Sequence, residues 1–257
     1  MEGIPSVLAC DVGNSGVHFA HVEGEQVSEM KCHRLGDLAD LGRELAILWE
    51  TMPDPRRVVA ASVNPAGLRA LEAAVDEAIG EKVIVVGRDT PLPMQVEVDD
   101  PAAVGTDRLC TAVAAYDRLG VACVVADFGS AITIDAVSEE GVFLGGAILP
   151  GLRMGAQSLS ERTAQLPVVE PVVPDWVFGK NTQEAIIGGL IFGTRGALRE
   201  IAEAYATSLG TWPLIIATGG DAEMIVGNVQ EGDLVQAIVP DLAVRGVAIA
   251  YYNTLLK

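Results

Sequence analysis

Two short runs of the chain combine a carboxylate with turn-forming residues. One is Asp11-Val12-Gly13-Asn14-Ser15-Gly16, inside LACDVGNSGVHFAHVEGEQV; the other is Asp127-Phe128-Gly129-Ser130-Ala131, inside VVADFGSAITIDAVSEEGVF. Each has an apolar run, an Asp, a Gly, small or polar residues and a second β-rich run that ends in a Gly-containing turn. A strand that ends in Asp-x-Gly and doubles back puts backbone N–H groups and a carboxylate at one turn. Such N–H groups can cradle phosphate, and a carboxylate can hold a metal ion. Either run alone is as well read as an ordinary hairpin turn, since Asn, Gly and Ser favour turns. Their recurrence in one strand-turn-strand context favours a phosphate site. No GxxxxGK[ST] or GxGxxG run is present, which disfavours the phosphate-binding families with those signatures.

A third run, Gly105-Thr106-Asp107-Arg108, opens an amphipathic stretch. An Asp in the first turn of a helix complements the dipole, and an Arg there can pair with a neighbour. The same two residues could accept a proton from a hydroxyl and clamp a carboxylate. A fourth, Thr218-Gly219-Gly220-Asp221, follows an apolar run; it reads either as plain chain reversal or as space for a flat ring. Gly145-Gly146 and Pro150-Gly151 share that ambiguity. His18, His21 and His33 show no triad spacing with Ser or Cys and read as structural or surface residues, although His18 lies close to the first run. Asp135, within a strand, reads as structural.

The elements that must position these residues alternate between β and α periods. Residues 6–30 read as a hairpin or three-stranded meander with Gly24 in its second turn. A helix is expected over 37–50, where Leu38, Leu41, Leu45 and Leu48 share a face. A strand follows at 57–63, a helix at 66–79 and a strand at 82–87. Residues 88–101 hold three prolines and read as a connection. A helix is expected over 106–119, then the strands ACVVADFG, AITIDAV and VFLGGAIL, and a helix from Pro150-Gly151. Residues 160–178 are Pro-rich and read as a loop or flap. A long helix is expected from Asn181 to about Tyr205, with Asn181 and Glu184 as a capping box. A strand at 214–220 and a final helix at 241–255, behind Pro240, close the chain. Gly188, Gly189, Gly193 and Gly196 lie inside the long helix. At about 1 kcal/mol each relative to Ala, they point to close packing against another backbone, across a subunit interface.

Two halves of this kind, each opening with Asp-x-Gly, imply a duplicated α/β fold with a cleft between two lobes, 1–118 and 119–257. A chain of 257 residues, half apolar and only 5% aromatic, supports a sizeable aliphatic core. The net charge of −18 argues against a nucleic-acid partner and against an anionic membrane surface. A phosphate substrate would then need local cations, Arg or helix N-termini. Cys10, Cys32, Cys110 and Cys123 form no CxxC pair and read as free thiols in a reducing, cytoplasmic setting. No apolar run of about 18 residues is present.

Taken in order, DVGNS (11–15), DPAAVGTDR (100–108), DFGSAITID (127–135), GGAILPG (145–151), FGKNTQEAIIGG (178–189) and ATGGDA (217–222) resemble the type III pantothenate kinases. That family belongs to the acetate and sugar kinase, chaperone and actin superfamily. The resemblance implies a duplicated ribonuclease-H-like, actin-like ATPase fold and ATP-dependent phosphorylation of pantothenate, the first step of coenzyme A biosynthesis. It further implies ATP contacts from Asp11, Val12, Gly13, Asn14, Ser15, Gly16, Val17, His18 and Ser130. Pantothenate would be bound by Gly105, Thr106, Asp107 and Arg108, with Asp107 as proton acceptor, and by Thr182 of the partner in a homodimer. Asp127 would hold a monovalent cation, potassium or ammonium, and Mg²⁺ would accompany ATP. The chain has Ser15 and Ser130 where the family usually has Thr, and Val96 and Val98 where an aromatic residue is common. The alternatives are another small-molecule kinase of the superfamily, or a non-catalytic ATP-binding accessory or regulatory protein. The Bvg accessory factor, linked to transcription, shares the family.

Overall fold

The computed structural model describes residues 4–35, 40–230 and 232–256. The chain divides into two compact units. One runs to Arg118 and takes in the chain again from Asp241; the other is Leu119–Pro240.

The first unit is built on β1 (Ser6–Val12), a nearly continuous apolar strand. Strands of that type are covered on both faces. Antiparallel β2 (Gly16–Glu23) pairs along its whole length, and parallel β5 (Arg56–Ser62) lies on its other side. Beyond β5 is parallel β6 (Val83–Val85). Leu8, Cys10 and Val12 point to one face, where α1 (Leu41–Thr51) and α2 (Pro65–Ile79) bring Leu41, Leu45, Leu71 and Val75. Val7 and Ala9 point to the opposite face, covered by Val244, Val247 and Ala248 of α7 (Leu242–Leu255) and by Cys110 of α3 (Thr106–Leu119). Asp11 falls on that second face by the two-residue period of a strand.

α2 is capped at both ends. The Asn64 side chain accepts the Ala66 and Gly67 N–H groups at 3.1 and 2.9 Å, Pro65 opens α2, and left-handed Gly80 ends it. The helix expected from residue 37 runs from Leu41, after Asp40; Asp37 and Leu38 lie outside the described residues. The meander extends further than expected. Its third strand is split into β3 (Gln26–Val27) and β4 (Lys31–Arg34), and both pair with β2. The connection at 88–101 holds only a two-residue strand, β7 (Gln95–Val96), and the first residue of a single 3₁₀ turn at Pro101–Ala103.

The second unit repeats the plan. β8 (Cys123–Phe128) pairs with antiparallel β9 (Ala131–Val137) and with parallel β11 (Leu214–Thr218). Antiparallel β10 (Val142–Pro150) and parallel β12 (Ala237–Ile238) extend the two sides. The strand order 10-9-8-11-12 thus answers 3-2-1-5-6 in the first unit. Val124, Ala126 and Phe128 pack under α4 (Leu152–Arg162), α5 (Thr182–Leu209) and α6 (Ala222–Val226), with Leu152, Ile187, Ile191 and Ile225 as counterparts. The loop expected over 160–178 begins only at Thr163, because α4 continues to Arg162; residues 163–181 contain no helix or strand.

Asn181 caps α5 by accepting the Glu184 N–H at 2.9 Å, while Glu184 reaches back to the Lys180 N–H at 2.6 Å, one residue beyond the usual box. The helix continues past Tyr205 to Leu209 and ends on left-handed Gly210. Among the described residues, no close backbone packing is made at three of its glycines. Side chains added at Gly189, Gly193 and Gly196 would meet nothing within 4 Å.

Candidate active site

In the first unit, the end of β1, the start of β2 and the start of α3 meet. The turn after Asp11 spans three residues and is closed by the Gly13 N–H donating to the Gly16 carbonyl at 3.0 Å. Asn14 and Ser15 are exposed at its tip, whereas Val12, Gly16 and Val17 are buried. Any ligand contact from those three runs through their main chain. Asp11 lies opposite His18 in the β1–β2 ladder, with Nδ1 of the imidazole 4.0 Å from Oδ2 of the carboxylate. Burial lowers the His18 pKa and favours the neutral ring.

Asp107 is held in the first turn of α3. The Thr106 hydroxyl donates to the Ser62 carbonyl at 3.0 Å, which ties the helix start to the end of β5. Asp107 Oδ1 accepts the Arg108 N–H at 2.8 Å. Gly105 lies directly under that carboxylate: a Cβ there would fall 2.4 Å from Oδ1. Asp11 and Asp107 share one neighbourhood. The thiol of Cys110, fully buried on α3, is pushed well above its usual pKa by burial and then by the charges of Asp11 and Asp107. Burial and Asp11 act the same way on Cys10. The sequence-predicted residues Asp11 to His18 and Gly105 to Arg108 therefore lie in the same unit, linked through the β1–β5 ladder and the Thr106–Ser62 bond.

The position of α3 depends on a glycine that sequence reasoning did not single out. A Cβ on Gly246 of α7 would lie 2.0 Å from the Cys110 carbonyl oxygen, so the two helices touch backbone to backbone. The available signal was a lone glycine inside a mostly apolar helix, directly after Arg245. Gly246→Ala should cost about 1–3 kcal/mol through overpacking. Since the displaced turn of α3 lies just after Asp107, turnover should fall as well. Thermal melting and a turnover assay check both; a variant with wild-type melting would contradict this contact.

In the second unit the corresponding turn is one residue shorter and is closed by the Gly129 N–H donating to Ala131 O at 3.1 Å. Ser130 is exposed on it. Asp127 lies opposite Thr133 of β9 and Thr218 of β11. Gly219 presses on it: a Cβ there would lie 2.4 Å from Asp127 Oδ1 and 2.6 Å from the Phe128 carbonyl oxygen. The Asp221 N–H donates to that same carbonyl at 3.0 Å. Arg153 of α4 holds the Asp221 carboxylate at 3.0 Å and Glu170 at 2.8 Å, a link with no sequence signal because its members are far apart in the chain. Thr182 stands elsewhere, exposed on the first turn of α5 beside a cavity of about 440 Å³ lined by Leu159, Leu166, Ile186 and Leu190.

Residues 7–204 match the family model described as type III pantothenate kinase. A type III pantothenate kinase of Dehalococcoides mccartyi is 33% identical over 95% of this chain and 96% of its own length. Those of Moorella thermoacetica and Frankia casuarinae are each 32% identical, covering 95% and 97% of this chain and 98% and 100% of theirs. Two solved structures are similar in fold. One, from Campylobacter jejuni, is assigned to the Baf family of transcriptional activators (20% identity, TM-score 0.58, 98% of this chain and 100% of that one). The other is component A of (R)-2-hydroxyglutaryl-CoA dehydratase from Acidaminococcus fermentans (16%, TM-score 0.53, 98% and 100%). The fold is the duplicated ribonuclease-H-like, actin-like ATPase fold that the repeated strand order describes. With a family model matched from the first strand into the long helix, and relatives matched over nearly their full length, this chain belongs to the type III pantothenate kinases.

Proposed function

We propose that the chain transfers the γ-phosphoryl group of ATP to the primary hydroxyl of pantothenate. Membership of the family supports this reading, as does the Thr106–Ser62 bond, which holds the start of α3 at the end of β5 beside the Asp11 turn. In this reading Asp107, with Oδ1 engaged by the Arg108 N–H, takes the hydroxyl proton on Oδ2. The hydroxyl oxygen bonds to the γ-phosphorus as the bond to the bridging oxygen breaks, and ADP leaves. Such transfer depends on positioning and charge more than on covalent catalysis. The turn residues Asp11 to His18 and Ser130 contact ATP; Gly105 to Arg108 bind pantothenate.

Asp127 and the Phe128 carbonyl, crowded by Gly219, form an oxygen cradle of the kind hard cations prefer. A monovalent cation there, potassium or ammonium, would offset phosphate charge. Among the described residues no group of three or more His, Cys, Asp or Glu is gathered for a metal, so Mg²⁺ would be held chiefly by the nucleotide. We further propose a homodimer. The glycine row of α5 facing open space supports it, as do exposed Met154, Leu159 and Phe192, and Thr182 of the partner would then reach pantothenate. No described helix is long and apolar enough to cross a membrane, and the four unpaired thiols fit a cytoplasmic enzyme.

An assay of purified protein with ATP, Mg²⁺ and pantothenate, with and without potassium, tests the reading. Phosphopantothenate should form, and faster with potassium. No turnover under any of these conditions would favour a non-catalytic nucleotide-binding protein; turnover on another alcohol alone would favour a different small-molecule kinase.

A further inference from the structure

The Asp11 turn carries no Lys or Arg, yet a bound triphosphate would bring several negative charges beside a carboxylate in a chain of net charge −18. We infer that Arg34 supplies the missing cation and contacts the nucleotide phosphates; this rests on the nucleotide reading of the Asp11 turn given above.

The argument is one of register. β4 pairs with β2 so that Gly16 faces Arg34, Val17 faces His33, His18 faces Cys32 and Phe19 faces Lys31. Residues directly opposite one another in a ladder share a face, and faces alternate along each strand. His33 stacks with Phe19 at 6.2 Å and lies 3.2 Å from Glu44 of α1, and Lys31 lies 3.7 Å from the same carboxylate. Lys31 and His33 are therefore committed to the α1 face. Cys32 and Arg34 point to the other face, Cys32 in one row with His18 and Asp11, and Arg34 in the next row, opposite Gly16. Their proximity shows in the Cys32 thiol, whose pKa is raised by burial and drawn back by the Arg34 charge.

Arg34 also lies at the turn itself. Gly16, its ladder partner, accepts the hydrogen bond that closes the turn, and the next residue, Leu35, donates its N–H to the Ser15 carbonyl at 3.3 Å. Gly16 has no side chain to stand between Arg34 and that turn, and a Cβ there would clash with the His33 carbonyl at 2.5 Å. Arg34 is exposed and makes no ion pair among the described residues. Its planar fork suits the oxygens of a phosphate.

Calorimetric titration of the full chain with ATP, ADP and adenosine tests the assignment, using wild type, Arg34→Met and Arg34→Lys. Arg34→Met should weaken ATP and ADP by at least about tenfold, the scale of one charge-assisted hydrogen bond, and leave adenosine unchanged. Arg34→Lys should recover part of the loss. Because the side chain is exposed, both variants should melt like wild type. Equal ATP affinity in wild type and Arg34→Met would overturn the role of Arg34 and leave the kinase reading standing; a wild type that binds no ATP would overturn both. An equal loss of adenosine affinity would also overturn it, by making Arg34 a shaper of the site. A second readout needs no variant. Cys32 is the one exposed cysteine of the four, so ATP, but not adenosine, should slow its alkylation. No protection at saturating ATP would count against the placement.

Discussion

Asp107→Asn is expected to lower turnover with pantothenate by at least about 100-fold, the lower end of what general-base help contributes, while leaving the fold intact. The substitution is nearly isosteric. Asn retains an oxygen able to accept the Arg108 N–H that Asp107 now accepts at 2.8 Å, and Gly105 still leaves room beneath it. What disappears is the negative charge. Its loss from the first turn of α3 should cost stability only about 0.3–1 kcal/mol, far below the effect on the chemical step. ATP affinity should be close to wild type, because the nucleotide reading rests on the Asp11 turn. A steady-state assay with a parallel ATP titration separates these outcomes. Full activity in the variant would remove Asp107 from the proton-accepting role; loss of ATP binding together with activity would make it a nucleotide ligand.

The strands ending in Asp-x-Gly and the cap of the long helix were legible because their signals are local. Asn181…Glu184 acts within one helical turn, and the Asn181 half of the box forms as expected. β4 was not legible for a physical reason. Lys-Cys-His-Arg is a polar strand with half-buried and exposed positions alternating, and its strand character comes from pairing with β2, not from its own composition. α6 and β12, of five and two residues, are too short to show a period. The site divides the same way. Asp11, Asp107 and Asp127 stood out by type and context. The features that hold them came from contacts between residues distant in sequence: Gly246 on Cys110, Thr106 on Ser62, and Arg153 on Asp221. Spacing along one chain carries no trace of such pairs.

The adjacent glycines Gly219 and Gly220 looked alike in sequence and have opposite roles. Gly219 adopts a φ of +91°, a region that costs an L residue roughly 1–2 kcal/mol. A Cβ there would also lie 2.4 Å from the Asp127 carboxylate and 2.6 Å from the Phe128 backbone, and the backbone has no side-chain freedom with which to give way. Adding about 1–3 kcal/mol for overpacking, Gly219→Ala should destabilise the protein by roughly 2–5 kcal/mol. Protein that still folds must move Asp127 or open the turn beside it, so any potassium activation should be lost before basal turnover. At Gly220, a Cβ would meet nothing within 4 Å, and no left-handed conformation has to be held. Gly220→Ala should therefore melt close to wild type and keep its potassium response. Chemical denaturation of both variants, with turnover measured across a potassium titration, makes the comparison. Equal damage from the two substitutions would mean that the Gly-Gly pair is needed for chain reversal alone, whereas damage confined to Gly219 ties the pair to the Asp127 carboxylate.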